Sequence, residues 1–527
     1  MKTSGTVAAV DLGATSGRVM LGRVGPNALD LVEAARFPNI PVQLWEGNRP
    51  GLHWNILELY RNVAHGLGQA LRAEPTIASV GVDAWAVDYG LLRAGVLQGI
   101  PYHYRDERSE PGTAATHERI PAAELYRQNG LQYLPFNTLY QLSVDRTAGR
   151  LAGVDTLLLI PDLFTYWLSG ERVAERTNAS TTGLLTADGV WNSTLIDTLE
   201  LPPRIFQPVV DAGTTVGALL PHLQAEFRVT GPGPVVTAVG SHDTASAVVA
   251  VPMQAQNAAY ISCGTWGLVG VELEHPVLTE EARLANFTNE GGVDGRVRFL
   301  HNVMGLWLLS ESIRTWDARG LAVDLVALLA QAEALTSPVP VFDADDPRFL
   351  APGDLPARIA EWCAERGLAA PGNPVEYVRS IVESLAEAFA QAVRTASHLS
   401  GRSVETVHIV GGGARNKLLC QLIADRTGLP VLAGPVEATA IGNVLVQARA
   451  QGLVTGDLET LRALVGRVFE PARFAPRSRS APSSLSRSAP RPRSLSRSAP
   501  RPRSRSLESR QTDPPEPSEG RFGATDE

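Results

Sequence analysis

The stretch AVDLGATSGRVML, at Ala9–Leu21, constrains the fold more than any other part of the chain. It reads as a buried strand ended by an acid, a tight turn, and a second strand. The turn residues Gly13, Ala14, Thr15, Ser16 and Gly17 are small and leave backbone N–H groups free to converge on an anion. Arg18 follows with a positive charge. Asp11, at the strand end, would repel a phosphate directly but suits a hydrated Mg²⁺ that bridges to one. The residues alone also fit an ordinary hairpin whose Asp caps its turn, and both readings stand at this point.

A second segment, NAAYISCGTWGLVGVELEHPV, repeats the pattern of apolar strand, small turn and apolar strand. Ser262-Cys263-Gly264-Thr265 answers Val10-Asp11-Leu12-Gly13. The spacing of roughly 250 residues suits two domains of similar size, and 527 residues exceed what one hydrophobic core serves. Apolar residues Ile56, Leu59, Val63, Leu67 and Leu71 share one helical face. So do Tyr377, Ile381, Leu385, Phe389, Val393 and Ala396. A helix starting near Pro161 should end at Gly170, and another should end at Gly428. In FLHNVMGLWLLSESIRTW, Asn302 and Trp307 are expected on a helix, with Trp307 and Trp316 in the core.

Charge excludes several functions. The net charge is −8, yet residues 473–527 hold 12 Arg against 6 acids, so the remainder carries −14. An acidic body argues against nucleic-acid binding. Only Lys2 and Lys417 are lysines and neither follows a glycine, so a P-loop is absent. The three cysteines form no metal-ligand pattern. No leader-like or membrane-length apolar run is present, which makes a cytoplasmic location the expectation. In the C-terminal region SLSRSAPRPR occurs twice in succession, and its Pro, Ser and Arg cannot bury a core. Residues 473–527 are therefore expected to be a disordered tail.

Three further stretches carry chemistry. VGGGARNK sets Gly411, Gly412 and Gly413 between a strand and a helix, where backbone approaches a ligand closely. VGSHDTASA sets Asp243 at a strand–helix junction, able to accept a hydroxyl proton or to cap the helix. GVDAWAVDYG alternates Asp83, Trp85, Asp88 and Tyr89, acids for hydroxyls and rings for sugar C–H faces, or a strand with turn acids and a core Trp.

Together VDLGATSGRVMLG, GVDAWAVDYGLL, YRDER, GSHDTASA, ISCGTWGLVGVEL, FTNEGG, HNVMGLWLLSESIRTW and HIVGGGARNKLLCQLIADRTGLPV resemble the FGGY carbohydrate kinases, from about Val7 to Pro471. The resemblance implies an α/β fold of two ribonuclease-H-like domains, similar to actin and other sugar kinases, with a cleft between them. The expected domains are 1–240, with the sugar and phosphate hairpin, and 241–472, for nucleotide. It implies transfer of the γ-phosphate of ATP, with Mg²⁺, to the 1-hydroxyl of L-rhamnulose. L-fuculose, L-xylulose or a non-catalytic actin-like nucleotide switch are the alternatives. Asp243 would be the base, and Asp83, Trp85, Ala86, His242 and Thr244 would meet the sugar. Ala14, Thr15, Ser16, Gly17, Arg18, Thr265, Asn302, Ser310 and Gly411–Gly413 would meet ATP, with Asp11 toward the metal through water. Ala86 replaces a Gly common in relatives, and Ser310 a Gln found in some. A membrane or nucleic-acid partner is not expected; a monomer and a homodimer both fit.

Overall fold

The structure, a computed structural model, describes residues 4–253 and 256–477. Two large sheets dominate it. In the first, strands β1 (Gly5–Leu12), β2 (Ser16–Gly25) and β3 (Ala28–Pro38) form an antiparallel meander. Strand β4 (Ser79–Ala84) joins parallel to β1, β6 (Val235–Thr237) joins parallel to β4, and β5 (Thr215–Ala218) closes the edge antiparallel.

The second sheet repeats this plan. Strands β7 (Ala258–Cys263), β8 (Trp266–Leu273) and β10 (Val297–Met304) are antiparallel neighbours. Strand β11 (Thr406–Val410) lies parallel to β7 and β12 (Val431–Ala433) parallel to β11. An antiparallel edge strand again ends the series, β13 (Ala472–Phe474), while β9 (Thr288–Gly291) extends the opposite edge beyond β10. With the antiparallel edge strands set aside, each sheet has five strands in the order third, second, first, fourth, fifth with only the second reversed, as expected for a ribonuclease-H-like pair.

Helix α1 (Ile56–Ala73) packs the expected face, Ile56, Leu59, Val63, Leu67 and Leu71, onto the first sheet. Helix α2 (Ile160–Ser169) packs beside it and stops at Gly170 in the left-handed region. Between the sheets lie α3 (Asp243–Val249) and α7 (Ala438–Ala450), which share one core with Val7, Ala9 and Met20 from the first sheet and Tyr260 and Leu268 from the second. The two helices touch backbone to backbone. A β-carbon at Gly442 would overlap the carbonyl oxygen of Ser246, so only glycine permits this crossing. Helix α7 also donates from Gln447 to the Ala8 carbonyl and from Asn443 to the Gly81 carbonyl, at 3.0 and 3.2 Å. A helix late in the chain therefore completes the sheet formed by its beginning.

On the far side of the second sheet run α4 (Trp307–Ala318), α5 (Pro374–Ser400) and α6 (Lys417–Thr427), the last ended by left-handed Gly428. Tyr377 is partly exposed at the end of the α5 face whose other expected members are buried. Asn302 departs from expectation: it lies on β10, paired with Leu268 of β8, and the helix begins only at Trp307. That apolar run satisfies both periodicities, and ladder bonds to β8 decide for strand. Trp307 and Trp316 are buried. Arg473 and Phe474, placed with the tail on sequence grounds, belong to β13, and Arg477 pairs with Asp425 at 2.5 Å. The repeats and the rest of the tail lie outside the described residues. Among the described residues, no helix is long and apolar enough to cross a membrane.

Candidate active site

A cavity of about 580 Å³ opens between the two sheets. The β1–β2 hairpin forms one wall. Its turn is closed by Gly13 N–H donating to the Ser16 carbonyl at 2.9 Å. Asn39, just beyond β3, grips the turn by donating to the Gly13 carbonyl from its side chain and to the Thr15 carbonyl from its backbone. The β7–β8 hairpin forms the opposite wall, pinned by Leu306 N–H and Trp307 N–H on the carbonyls of Gly264 and Thr265. Gly411 lies against the carbonyl of Cys263 with φ 79°, a close approach in the left-handed region that excludes a β-carbon.

Most residues expected at the site converge here. Asp11, Ala14, Thr15, Ser16 and Arg18 line the cavity, as do Thr265, Gly411, Gly412, Trp85, Ala86, His242, Asp243, Thr244 and Asn302. Four do not. Gly17 turns its α-carbon onto the ring of Phe37, and Gly413 lies against the thiol of Cys263, so both pack rather than line. Ser310 is exposed on α4, outside the cavity wall. Asp83 is fully buried one strand behind Asp11, its register partner, and accepts from Asn443. Burial, and then the charge of Asp11, pushes the Asp83 carboxyl well above its ordinary range. It faces α7, not the cavity.

Asn302 keeps different company from the glycine loops. Its backbone N–H and side-chain amide both donate to Gln132 Oε1, at 2.8 and 3.0 Å. Its carboxylate neighbour is Glu290, on the His242 side of the cavity.

Asp243 opens α3 with its carboxylate partly exposed to the cavity. Burial raises its pKa, Asp11 adds to the rise, and His242 and Thr244 oppose it. The preceding loop is fixed by Glu175, whose Oε2 accepts from Ser241 N and Oγ at 3.0 and 2.8 Å and from Thr177 Oγ1 at 2.5 Å. Arg18 bridges Asp11, at 2.7 Å, to Glu437 in the segment before α7.

The Trp85 wall is organised by Asp88. Its Oδ2 accepts from the Trp54 and Trp85 indoles at 2.6 and 3.2 Å and from Tyr104 N–H at 3.0 Å, while Gln141 donates to Oδ1 at 3.0 Å. Burial lifts this carboxyl to about 7 despite those donors. Trp54 and Trp85 lie 3.9 Å apart, and the turn between them and Asp88 contains Val87 at φ 67°, a strained conformation for a β-branched residue. Thr138 holds that strain in place by donating to the Val87 carbonyl at 2.7 Å. Gln132, Asn39 and Glu437 carried no sequence signal, because each reaches the site from a distant segment, and Glu290 lies in the FTNEGG stretch of the family resemblance without an assigned role.

Comparison with known proteins agrees with this architecture. The model of the FGGY family of carbohydrate kinases, N-terminal domain, matches residues 95–250, and that of the C-terminal domain matches 259–451. The chain is 41% identical over 480 residues to a rhamnulokinase of Pectobacterium carotovorum subsp. carotovorum (strain PC1), covering 90% of this chain and 94% of that protein. It is 39% identical over 478 residues to a rhamnulokinase of Bacteroides thetaiotaomicron, covering 90% and 96%. A ligand-bound xylulose kinase from Lactobacillus acidophilus shares the fold with a TM-score of 0.71 at 15% identity, covering 90% of this chain and 94% of that one. Two sheets of one plan, a cavity between them and this degree of identity lead to one conclusion: the chain belongs to the FGGY family of carbohydrate kinases.

Proposed function

We propose that this carbohydrate kinase transfers the γ-phosphoryl group of ATP to the 1-hydroxyl of L-rhamnulose, in the cytoplasm, with Asp243 as the base. The single observation that carries this reading is a half-buried carboxylate, raised in pKa, at the head of a helix and facing a cavity walled by two hairpins. A base of raised pKa holds its proton better after taking it from an alcohol. The relatives named above as rhamnulokinases supply the choice of sugar.

Phosphoryl transfer needs positioning and charge stabilisation more than covalent chemistry. The chain offers donors for the phosphates from Ala14, Thr15 and Ser16, from Thr265 and from Gly412, while the N–H groups of Gly13, Gly264 and Gly411 are committed to the carbonyls of Ser16, Trp266 and Pro435. Arg18 and Arg415, each paired with Glu437, add charge to the cavity lining. Trp85, Ala86, His242 and Asn302 form the sugar side, so Asn302 moves from the nucleotide to the sugar set. The chain divides near residue 240, with the first phosphate hairpin, Trp85 and Ala86 before it and His242, Asp243, Thr265, Asn302 and the glycine loop after it.

Among the described residues no group of three or more His, Cys, Asp or Glu is arranged to hold a metal by itself. Asp11, at the hairpin wall of the cavity, instead fits an ion that arrives with the nucleotide, as Mg²⁺ does with one carboxylate, phosphates and water. Bound there, Mg²⁺ would offset phosphate charge.

The test is sugar-dependent ADP release with L-rhamnulose, L-fuculose, L-xylulose and several aldoses. The highest kcat/KM is expected for L-rhamnulose. A higher value for another ketose would move the substrate assignment, and ADP release indifferent to sugar would indicate a nucleotide switch.

A further inference from the structure

We infer that Arg298 is a positioning residue that sets the tautomer of His242, keeping the ring proton on Nε2 beside the base. This rests on the assignment of Asp243 as base. His242 is buried, and its two ring nitrogens face different groups. Nε2 points toward Asp243 Oδ1 at 3.5 Å. Nδ1 meets the Arg298 guanidinium at 3.0 Å and Glu290 Oε2 at 3.3 Å.

A guanidinium has only donors and stays charged in proteins. At 3.0 Å from Arg298, Nδ1 is therefore the acceptor, and the neutral ring carries its proton on Nε2. Glu290 is the competing partner, because it would accept a proton from Nδ1. Its charge faces the Arg298 guanidinium as an ion pair, with no hydrogen bond from Nη1 to Oε2. The two side chains are register partners on β9 and β10, 3.2 Å apart, and Arg298 is wholly buried. Burial alone would push Glu290 up, but the charge of Arg298, first among the opposing causes, helps hold it below its ordinary value. Arg298 is itself aimed by its Nε, which donates to the Gly291 carbonyl at 2.9 Å. From the remaining side, Thr177 Oγ1 accepts from the His242 backbone N–H at 3.3 Å and is tied to Glu175. No charged group there reaches the ring.

The consequence is specific. A proton on Nε2 lets His242 donate to a sugar oxygen or to Asp243, leaving the carboxylate free to accept from the reacting hydroxyl. With the proton on Nδ1, Nε2 becomes a second acceptor facing Asp243, and a donor to the sugar is lost.

Long-range ¹H–¹⁵N spectra of the histidine rings, with His242 assigned by its loss in H242Q, read the tautomer on the full chain without sugar at about pH 8, above the ordinary imidazole range. A protonated Nε2 and a bare Nδ1 are expected in the unaltered protein and in R298K. In R298M, and in E290Q/R298M should a lone buried carboxylate prevent folding, a protonated Nδ1 is expected to appear. Sugar kcat/KM should fall about 10- to 100-fold in R298M or the double variant, as for a lost hydrogen bond to substrate, and recover in part in R298K. KM for ATP should change less than about twofold, since His242 stands on the sugar side. A protonated Nδ1 in the unaltered protein overturns the inference, and so does an unchanged tautomer in the methionine variants. Because the spectra need no turnover, they separate this outcome from failure of the sugar assignment, which the substrate panel reads.

Discussion

The hairpin of β1 and β2 and the hairpin of β7 and β8 hold the same station in two sheets of the same strand order, and they face each other across one cavity. Their backbones do similar work, each presenting a short turn of small residues. Their side chains do not. The first carries Asp11 and Arg18, ion-paired at 2.7 Å and tied on to Glu437. The second carries Cys263, a buried thiol pushed well up by desolvation, and the uncharged Thr265. The repeated scaffold supplies two sets of backbone donors, whereas charge is concentrated on one copy. Catalytic polarity is thus a property of side chains at a few turn positions, not of the sheet that holds them.

This contrast yields outcomes that would break or sharpen it. The largest effect belongs to the group lying between the hairpins: Asp243→Asn should lower kcat by about 10³-fold while calorimetric ADP affinity stays near its original value. Next, Asp11→Asn should reduce kcat by about 10²-fold and raise the Mg²⁺ concentration needed for half-maximal rate, whereas Thr265→Ala should cost only about tenfold in kcat/KM for ATP. Equal losses would show that the two hairpins share the charge work after all. Gly442→Ala tests the wedge that holds the hairpins face to face. Forcing a methyl against the Ser246 carbonyl should cost about 3 kcal/mol in denaturant unfolding, and an unchanged midpoint would mean that α3 and α7 separate freely. Smallest of all, Ser310→Ala should leave KM for ATP within about twofold, because that exposed side chain lies outside the cavity; a tenfold rise would return it to the nucleotide site.

Much of this is legible in the sequence. The apolar stripe from Ile56 to Leu71 could only be a helix face, and both hairpins announced themselves by apolar runs around small residues. Asp243 stood at a strand–helix junction, which explains both its partial exposure and its place at a cavity mouth. Where the reading failed, a long-range pairing had decided. Asn302 lies in a run whose apolar residues satisfy helix and strand periods alike, and the ladder to Trp266–Leu273 made it a strand. Asp83 looked like a sugar ligand because it alternates with aromatics in GVDAWAVDYG, but parallel register with Asp11 and the approach of Asn443 buried it. Glu290, in FTNEGG, and Arg298 sit eight residues apart, and only the antiparallel register of β9 and β10 makes them a pair behind His242.

By itself, then, the sequence determined the local grammar: most of the strands and helices, where glycine must sit, and which acids and small residues are available for phosphate chemistry. These follow from periodicity and backbone sterics, which act over a few residues. The tertiary structure alone decided which carboxylates face the cavity, that Arg18 bridges two acids, and that a helix near residue 440 completes the first sheet. Those outcomes depend on burial and on charges brought together from segments hundreds of residues apart, and no local pattern encodes either.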